Sequence, residues 1–210
     1  MSDAHSLLHE PWPSLERQRE GATFGLWLFL ATEILFFSGL FLGYTLYRNI
    51  YPDAFKIAAR ETEVVFGTVN TAILMTSSLT MAVASRSATR GFRKMTLLCL
   101  ALTITLGCAF LLCKGIEYHD DIDNRLVPGP DFKLQPPETQ IFWAFYWVMT
   151  GIHAIHVTVG IGIVTTVTML IARRRIPLAT TAVEAMALYW HFVDIIWIFL
   201  LPLLYLMGRS

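Results

Sequence analysis

A glutamate in the middle of an apolar run is the feature that most limits what this chain can fold into. Residues 22–47 read ATFGLWLFLATEILFFSGLFLGYTLY, and Glu33 is the only charge among these 26 residues. A helix crosses the bilayer core with about 20 apolar residues, so the run is long enough to span. A carboxyl at that depth costs roughly 2.5–3.5 kcal/mol on insertion scales. It is expected to be buried, to face protein or water, and to find a partner. Desolvation disfavours its charged form, so it is expected to carry its proton at neutral pH.

Four more apolar runs follow, at 64–85, 95–113, 141–172 and 185–207. The fold predicted is an all-α integral membrane protein, a bundle of five transmembrane helices. Residues 1–20 form a polar cytoplasmic segment and 21–210 a single transmembrane domain. With 55% hydrophobic residues in 210, the chain is too apolar for an ordinary soluble domain. The fourth run, at 32 residues, must tilt or protrude. Residues 1–20 lack an apolar core of the secretory type, so the first span is expected to act as its own insertion signal. The formal net charge of zero gives no electrostatic case for nucleic acid. Cys99, Cys108 and Cys113 match no zinc or redox spacing and read as apolar packing residues.

The connections set an orientation. The 86–94 and 173–181 segments carry Arg86, Arg90, Arg93, Lys94, Arg173, Arg174 and Arg175 without an acid. The 48–63 and 114–140 segments on the other side are mixed to acidic. Short basic loops stay cytoplasmic, which places the N-terminus inside and the C-terminus outside. Pro128, Pro130, Pro136 and Pro137, with Gly129, bar a helix across residues 128–137 of the outer segment.

Further ionisable groups fall inside the runs. His153, His156 and Gly160 are spaced three and four apart and share a helix face. His191 and Asp194, three apart, are placed to touch along another, with Glu184 on the same stripe and Trp190 and Trp197 flanking the pair. Three readings are open. The histidines could ligate haem or a metal, although a complete ligand set is missing. The group could form a proton or ion path. Or it could be a buried hydrogen-bonded network that clamps helices and holds lipid. Three other features have plain readings. Gly39 and Gly43 permit close helix approach. Trp143, Tyr146, Trp147 and Tyr205 form an interfacial belt. Lys114 and Glu117 form a surface ion pair of little weight.

Several stretches resemble subunit III of the haem–copper respiratory oxidases. They are WLFLATEILFF at 27–37, NTAILMTSS at 70–78, TLGCAF at 105–110, EY at 117–118, GIHAIHVTVG at 151–160 and EAMALYWHFVDIIW at 184–197. They stand in family order over nearly the whole chain from Gly21. The resemblance implies a non-redox subunit of a proton-pumping terminal oxidase in a bacterial inner membrane. Its partners would be catalytic subunit I and subunit II, which hold the haems and copper, together with phospholipids. This chain would hold no cofactor, metal or catalytic centre. The family's membrane glutamate falls on Glu33, and its role is to support proton uptake into subunit I. Glu33, His153, His156, Glu184, Trp190, His191 and Asp194 are the residues expected in such a network. The glutamate, with LVPGP at 126–130 and the PLLY ending at 202–205, resembles the five-helix cytochrome c branch of the caa3 kind. A quinol oxidase subunit III and the accessory subunit of a nitric oxide reductase are the alternatives.

The orientation is directly testable. A cytoplasmic reporter fused within residues 173–181 should be active and a periplasmic one silent; the reverse pattern contradicts the positive-inside reading.

Overall fold

The computed structural model describes residues 14–178 and 180–206. Its helices are α1 (Leu15–Ile50), α2 (Pro52–Arg60), α3 (Val64–Thr89), α4 (Arg93–Asp123), α5 (Thr139–Ala172) and α6 (Thr181–Leu201). A π-helical turn, Pro202–Leu206, continues α6. Five helices, all but α2, are long and apolar enough to cross a membrane, and no strand occurs among the described residues. The all-α, five-span expectation holds, with altered edges. Residues 15–20 are the first turns of α1, whose N-cap Ser14 accepts a hydrogen bond from the Arg17 amide at 3.3 Å. Met207, the end of the expected fifth run, lies outside the described residues, as do residues 1–13.

Two connections are more ordered than their sequence suggests. The 48–63 segment contains α2, which starts on Pro52 and places Asp53 in its first turn, both favourable at a helix N-terminus. It buries Ala54, Phe55, Ala58 and Ala59. The third run does not stop at 113, because α4 continues to Asp123. Its buried stripe of Thr103, Gly107 and Phe110 runs on in register through Lys114, Glu117 and Asp121. The segment after Asp123 is irregular up to Thr139, as its prolines require.

Contacts are thin on α1 and dense on α6. Leu30, Phe37 and Tyr44, seven residues apart, are the buried seam of α1, while Phe24, Leu28, Leu35 and Leu42 are exposed. A one-residue-wide seam of this spacing lets a helix lie nearly parallel to its neighbours with its other faces open. Among lipid tails no hydrophobic force pulls helices together, so close packing must supply the attraction. Glycines opposite large rings do this. A Cβ on Gly107 would sit 2.9 Å from Trp190 Cη2, and one on Gly160 would sit 3.2 Å from the same indole. Gly67 gives equal room to Tyr205, at 2.9 Å. The Gly39 and Gly43 pair does less than its spacing suggests. Gly43 meets only the Phe145 ring, and Gly39 has nothing within 4 Å.

At the arginine-rich end, Arg93 of α4 donates to the carbonyls of Ile171 and Ala172 at 2.6 and 2.9 Å. These are last-turn carbonyls of α5 that have no partner within their own helix. A cation there also complements the helix dipole. One basic residue of the short loops therefore ties α4 to α5.

The glycine contacts make a comparison possible. Gly107→Ala should destabilise the detergent-extracted protein by about 1–3 kcal/mol through overpacking against Trp190. Gly25→Ala, where nothing lies within 4 Å, should change stability by no more than about 0.5 kcal/mol. Equal thermal unfolding midpoints for the two variants would contradict the packing assignment.

Candidate functional site

Glu33 meets His156. Its Oε2 lies 3.0 Å from His156 Nε2, and the two side chains are 20% and 18% exposed. The other ring nitrogen, Nδ1, lies 2.9 Å from the Ile152 carbonyl on the same helix. A carbonyl only accepts, so Nδ1 carries a hydrogen. Nε2 and Oε2 then share one more. Either a neutral carboxyl donates to the imidazole, or an imidazolium donates to the carboxylate. Phe37 packs edge-on against the imidazole, and the Tyr189 hydroxyl donates to the His156 carbonyl at 3.1 Å. Glu33 is thus partnered as expected but not fully buried, because it sits at the edge of the narrow α1 seam.

The other expected residues divide into separate groups. His191 does not pair with Asp194. Its Nδ1 lies 2.8 Å from the Ser78 hydroxyl of α3. Trp190 donates from Nε1 to Ser77 Oγ at 3.1 Å. Asp194 is 2% exposed, lies near Ser78, and makes no well-formed hydrogen bond. His153 faces the bundle, fully buried, and neither ring nitrogen has a partner among the described residues. It packs instead between the Trp197 and Phe110 rings, with centroids at 5.0 and 5.6 Å. Glu184 is exposed at the first turn of α6 and joins neither group. The seven residues therefore do not form one network. Among the described residues, no group of three or more His, Cys, Asp or Glu side chains is arranged to hold a metal ion.

The densest polar cluster lies elsewhere and corrects two sequence expectations. Lys114 and Glu117 are not a surface pair. Their side chains are 3% and 2% exposed, with Nζ 3.0 Å from Oε2. Tyr146 and Tyr205 are not in an interfacial belt, being 1% and 0% exposed, and Trp143 is equally buried. Lys114 donates to the Tyr146 and Tyr205 hydroxyls at 3.0 and 2.7 Å. Tyr205 donates to Glu117 Oε1 at 2.6 Å. The Tyr146 hydroxyl lies 2.7 Å from Glu117 Oε1 and 2.8 Å from Asp121 Oδ2. The ammonium also stands 4.6 Å from the Tyr146 ring and 5.7 Å from that of Trp197.

The fold builds this cluster from three directions. The π turn after Pro202 swings Tyr205 inward against Gly67. That turn is held because Tyr44 of α1 donates to the Leu203 carbonyl at 2.6 Å. The signal in the sequence is the continuation of the α4 stripe at 110, 114, 117 and 121. Reading the third run as ending at 113 hid it.

Comparison with known proteins assigns the chain to a family. Residues 15–209 match the family described as cytochrome c oxidase subunit III. Similar proteins include a cytochrome c oxidase subunit 3 of Thermostichus vulcanus, 34% identical over 88% of this chain and 87% of its own length. A quinol oxidase subunit 3 of Bacillus subtilis is 30% identical over 88% of this chain and 86% of its own length. A cytochrome bo(3) ubiquinol oxidase subunit 3 of Pseudomonas aeruginosa is 27% identical over 99% and 95%. A five-span helical bundle of respiratory type is the class this defines. The chain belongs to the haem–copper oxidase subunit III family.

The buried ion pair gives a cycle of variants. Lys114→Met leaves Glu117 buried beside the tyrosines without its cation and should cost about 3–5 kcal/mol. The double change Lys114→Met with Glu117→Gln should recover a large part of that loss. Denaturation of the detergent-solubilised protein measures both, and additive losses would show that the two side chains do not interact.

Proposed function

We propose that the chain is the non-redox subunit III of a proton-pumping terminal oxidase that passes electrons from cytochrome c to oxygen. In this reading it stabilises catalytic subunit I, binds phospholipid and sustains proton uptake. The observation that carries it is the Glu33–His156 contact, which holds one mobile hydrogen at 3.0 Å midway along α1. The pair is partly open on the side where α1 has no neighbour within the chain. A partner subunit or lipid facing that side would complete its surroundings. Next to Glu33, an apolar cavity of about 440 Å³ opens between α1 and α6, lined by Ile34, Phe37, Phe41, Phe192, Ile195 and Phe199. Its size and lining suit an acyl chain. The relatives' names support both a cytochrome c oxidase and a quinol oxidase as the parent complex. The cytochrome c reading is preferred for the glutamate at position 33. Oxygen consumption by the purified complex with reduced cytochrome c, and separately with a quinol, decides between them.

Proton support at Glu33 has its own test. Glu33→Ala should leave the haem spectra of the complex unchanged while shortening the lifetime of sustained turnover. Glu33→Gln keeps a hydrogen-bond donor toward His156 but forbids ionisation. If Gln matches wild type and Ala does not, the neutral pair is the working form and Glu33 acts by structure. Turnover lifetime and lipid content unaltered in both variants would remove Glu33 from the function.

A further inference from the structure

One ion pair and five hydrogen-bond contacts hold the Lys114 cluster together, and the ordinary protonation states of its members leave one of those contacts, at Tyr146, without a hydrogen. The Lys114 ammonium gives hydrogens to the Tyr146 and Tyr205 hydroxyls, and it faces Glu117 Oε2 at 3.0 Å as an ion pair without a well-formed hydrogen bond. Tyr205 gives its single hydrogen to Glu117 Oε1. Tyr146 also has one hydrogen, yet its oxygen lies 2.7 Å from Glu117 Oε1 and 2.8 Å from Asp121 Oδ2. Both are full O–H···O hydrogen-bond lengths. With both carboxyl groups ionised, one of the two contacts would be oxygen against oxygen with nothing between.

We propose that Asp121 holds the missing hydrogen, and that it is a proton-binding site at the end of the bundle opposite the arginine-rich loops. The proton belongs on Asp121 rather than Glu117 because Glu117 already faces the Lys114 ammonium and the Tyr205 donor, which hold its negative charge. Asp121 then donates to the Tyr146 oxygen, and Tyr146 donates to Glu117. The buried cluster is left neutral, with one cation and one anion, the arrangement that burial tolerates best. Its opening is visible. Glu117 and Asp121 line a cavity of about 360 Å³ together with Glu61, Glu63, Asp120 and Asp123. The groups facing Asp121 are therefore Lys114, Glu117, Tyr118, Asp120 and Asp123 of α4, Tyr146 of α5, Tyr205 of the π turn, and Glu61 and Glu63 between α2 and α3. The acids of the cavity are not themselves the evidence; the missing hydrogen at Tyr146 is. On release, the Asp121 O–H bond breaks and the proton passes to water in the cavity. Tyr146 keeps one hydrogen for two carboxylates. The site does not involve Glu33 or the electron donor.

Infrared difference spectroscopy of the intact complex tests this. Asp121→Asn should remove one carboxylic C=O band per chain at neutral pH, a band that shifts in deuterated buffer. In the wild-type complex that band should fade as pH is raised, with carboxylate bands growing in its place. A difference spectrum at neutral pH that loses only carboxylate bands overturns the proposal. Tyr146→Phe keeps Asp121 but removes its acceptor, so the C=O band should move to higher frequency. A band unmoved by that change also overturns it, even if the asparagine variant fails to assemble.

Discussion

The Lys114 side chain is 3% exposed, and much of the bundle is arranged around the charge it buries. An ammonium taken out of water loses several kcal/mol of hydration unless protein groups replace it. Here the replacement comes from its own helix through Glu117, from α5 through Tyr146, and from the turn after α6 through Tyr205. The turn itself is held by Tyr44 of α1, whose ring packs on Phe55 of α2. Groups of α4, α5 and the turn after α6 thus meet at one cation, with α1 and α2 behind the turn. Trp197 carries the connection deeper. It touches Phe110 and His153, lies 5.7 Å from the ammonium, and donates to Thr71 of α3 at 3.0 Å.

Close approach of the helices follows from a second constraint. Hydrocarbon solvates apolar side chains as well as protein does, so helices gain by fitting closely rather than by hiding from solvent. Trp190 fills the space left by Gly107 and Gly160 and donates to Ser77. A large ring against two absent side chains gives dispersion contact over its face while its one polar atom is satisfied. Two of the helices so packed carry further polar groups, α5 with His153 and α6 with His191 and Asp194, so the position of those groups depends on this packing.

The Glu33–His156 pair is held differently. It is on the least supported helix, joined to the bundle by the seam of Leu30, Phe37 and Tyr44. His156 is oriented by its own backbone through Ile152, which leaves Nε2 aimed at the carboxyl. One end of the pair is therefore rigid and the other sits on a helix with open flanks. The pair is partly open on the side where α1 has no neighbour within this chain.

Much of this was legible from residue order, and for a physical reason. Length and apolarity decide membrane crossing without reference to neighbours, so five spans could be read directly. So could the proline-bound loop, and Glu33 as the exceptional charge. Its partner His156 was legible only as a residue on the right kind of helix. What the sequence could not show was which polar side chains meet. Lys114, Glu117, Tyr146 and Tyr205 look like ordinary residues of a helix end and an aromatic belt. They become a buried cluster only because α4 runs ten residues farther, to Asp123, and because the π turn after Pro202 redirects Tyr205. His191 and Asp194 share a face of α6, yet His191 pairs with the Ser78 hydroxyl of α3 at 2.8 Å and Asp194 makes no well-formed hydrogen bond. Hydropathy along a chain records where each residue is stable. Partnership between helices is set by their rotation and depth against one another, and those are settled only when all five pack.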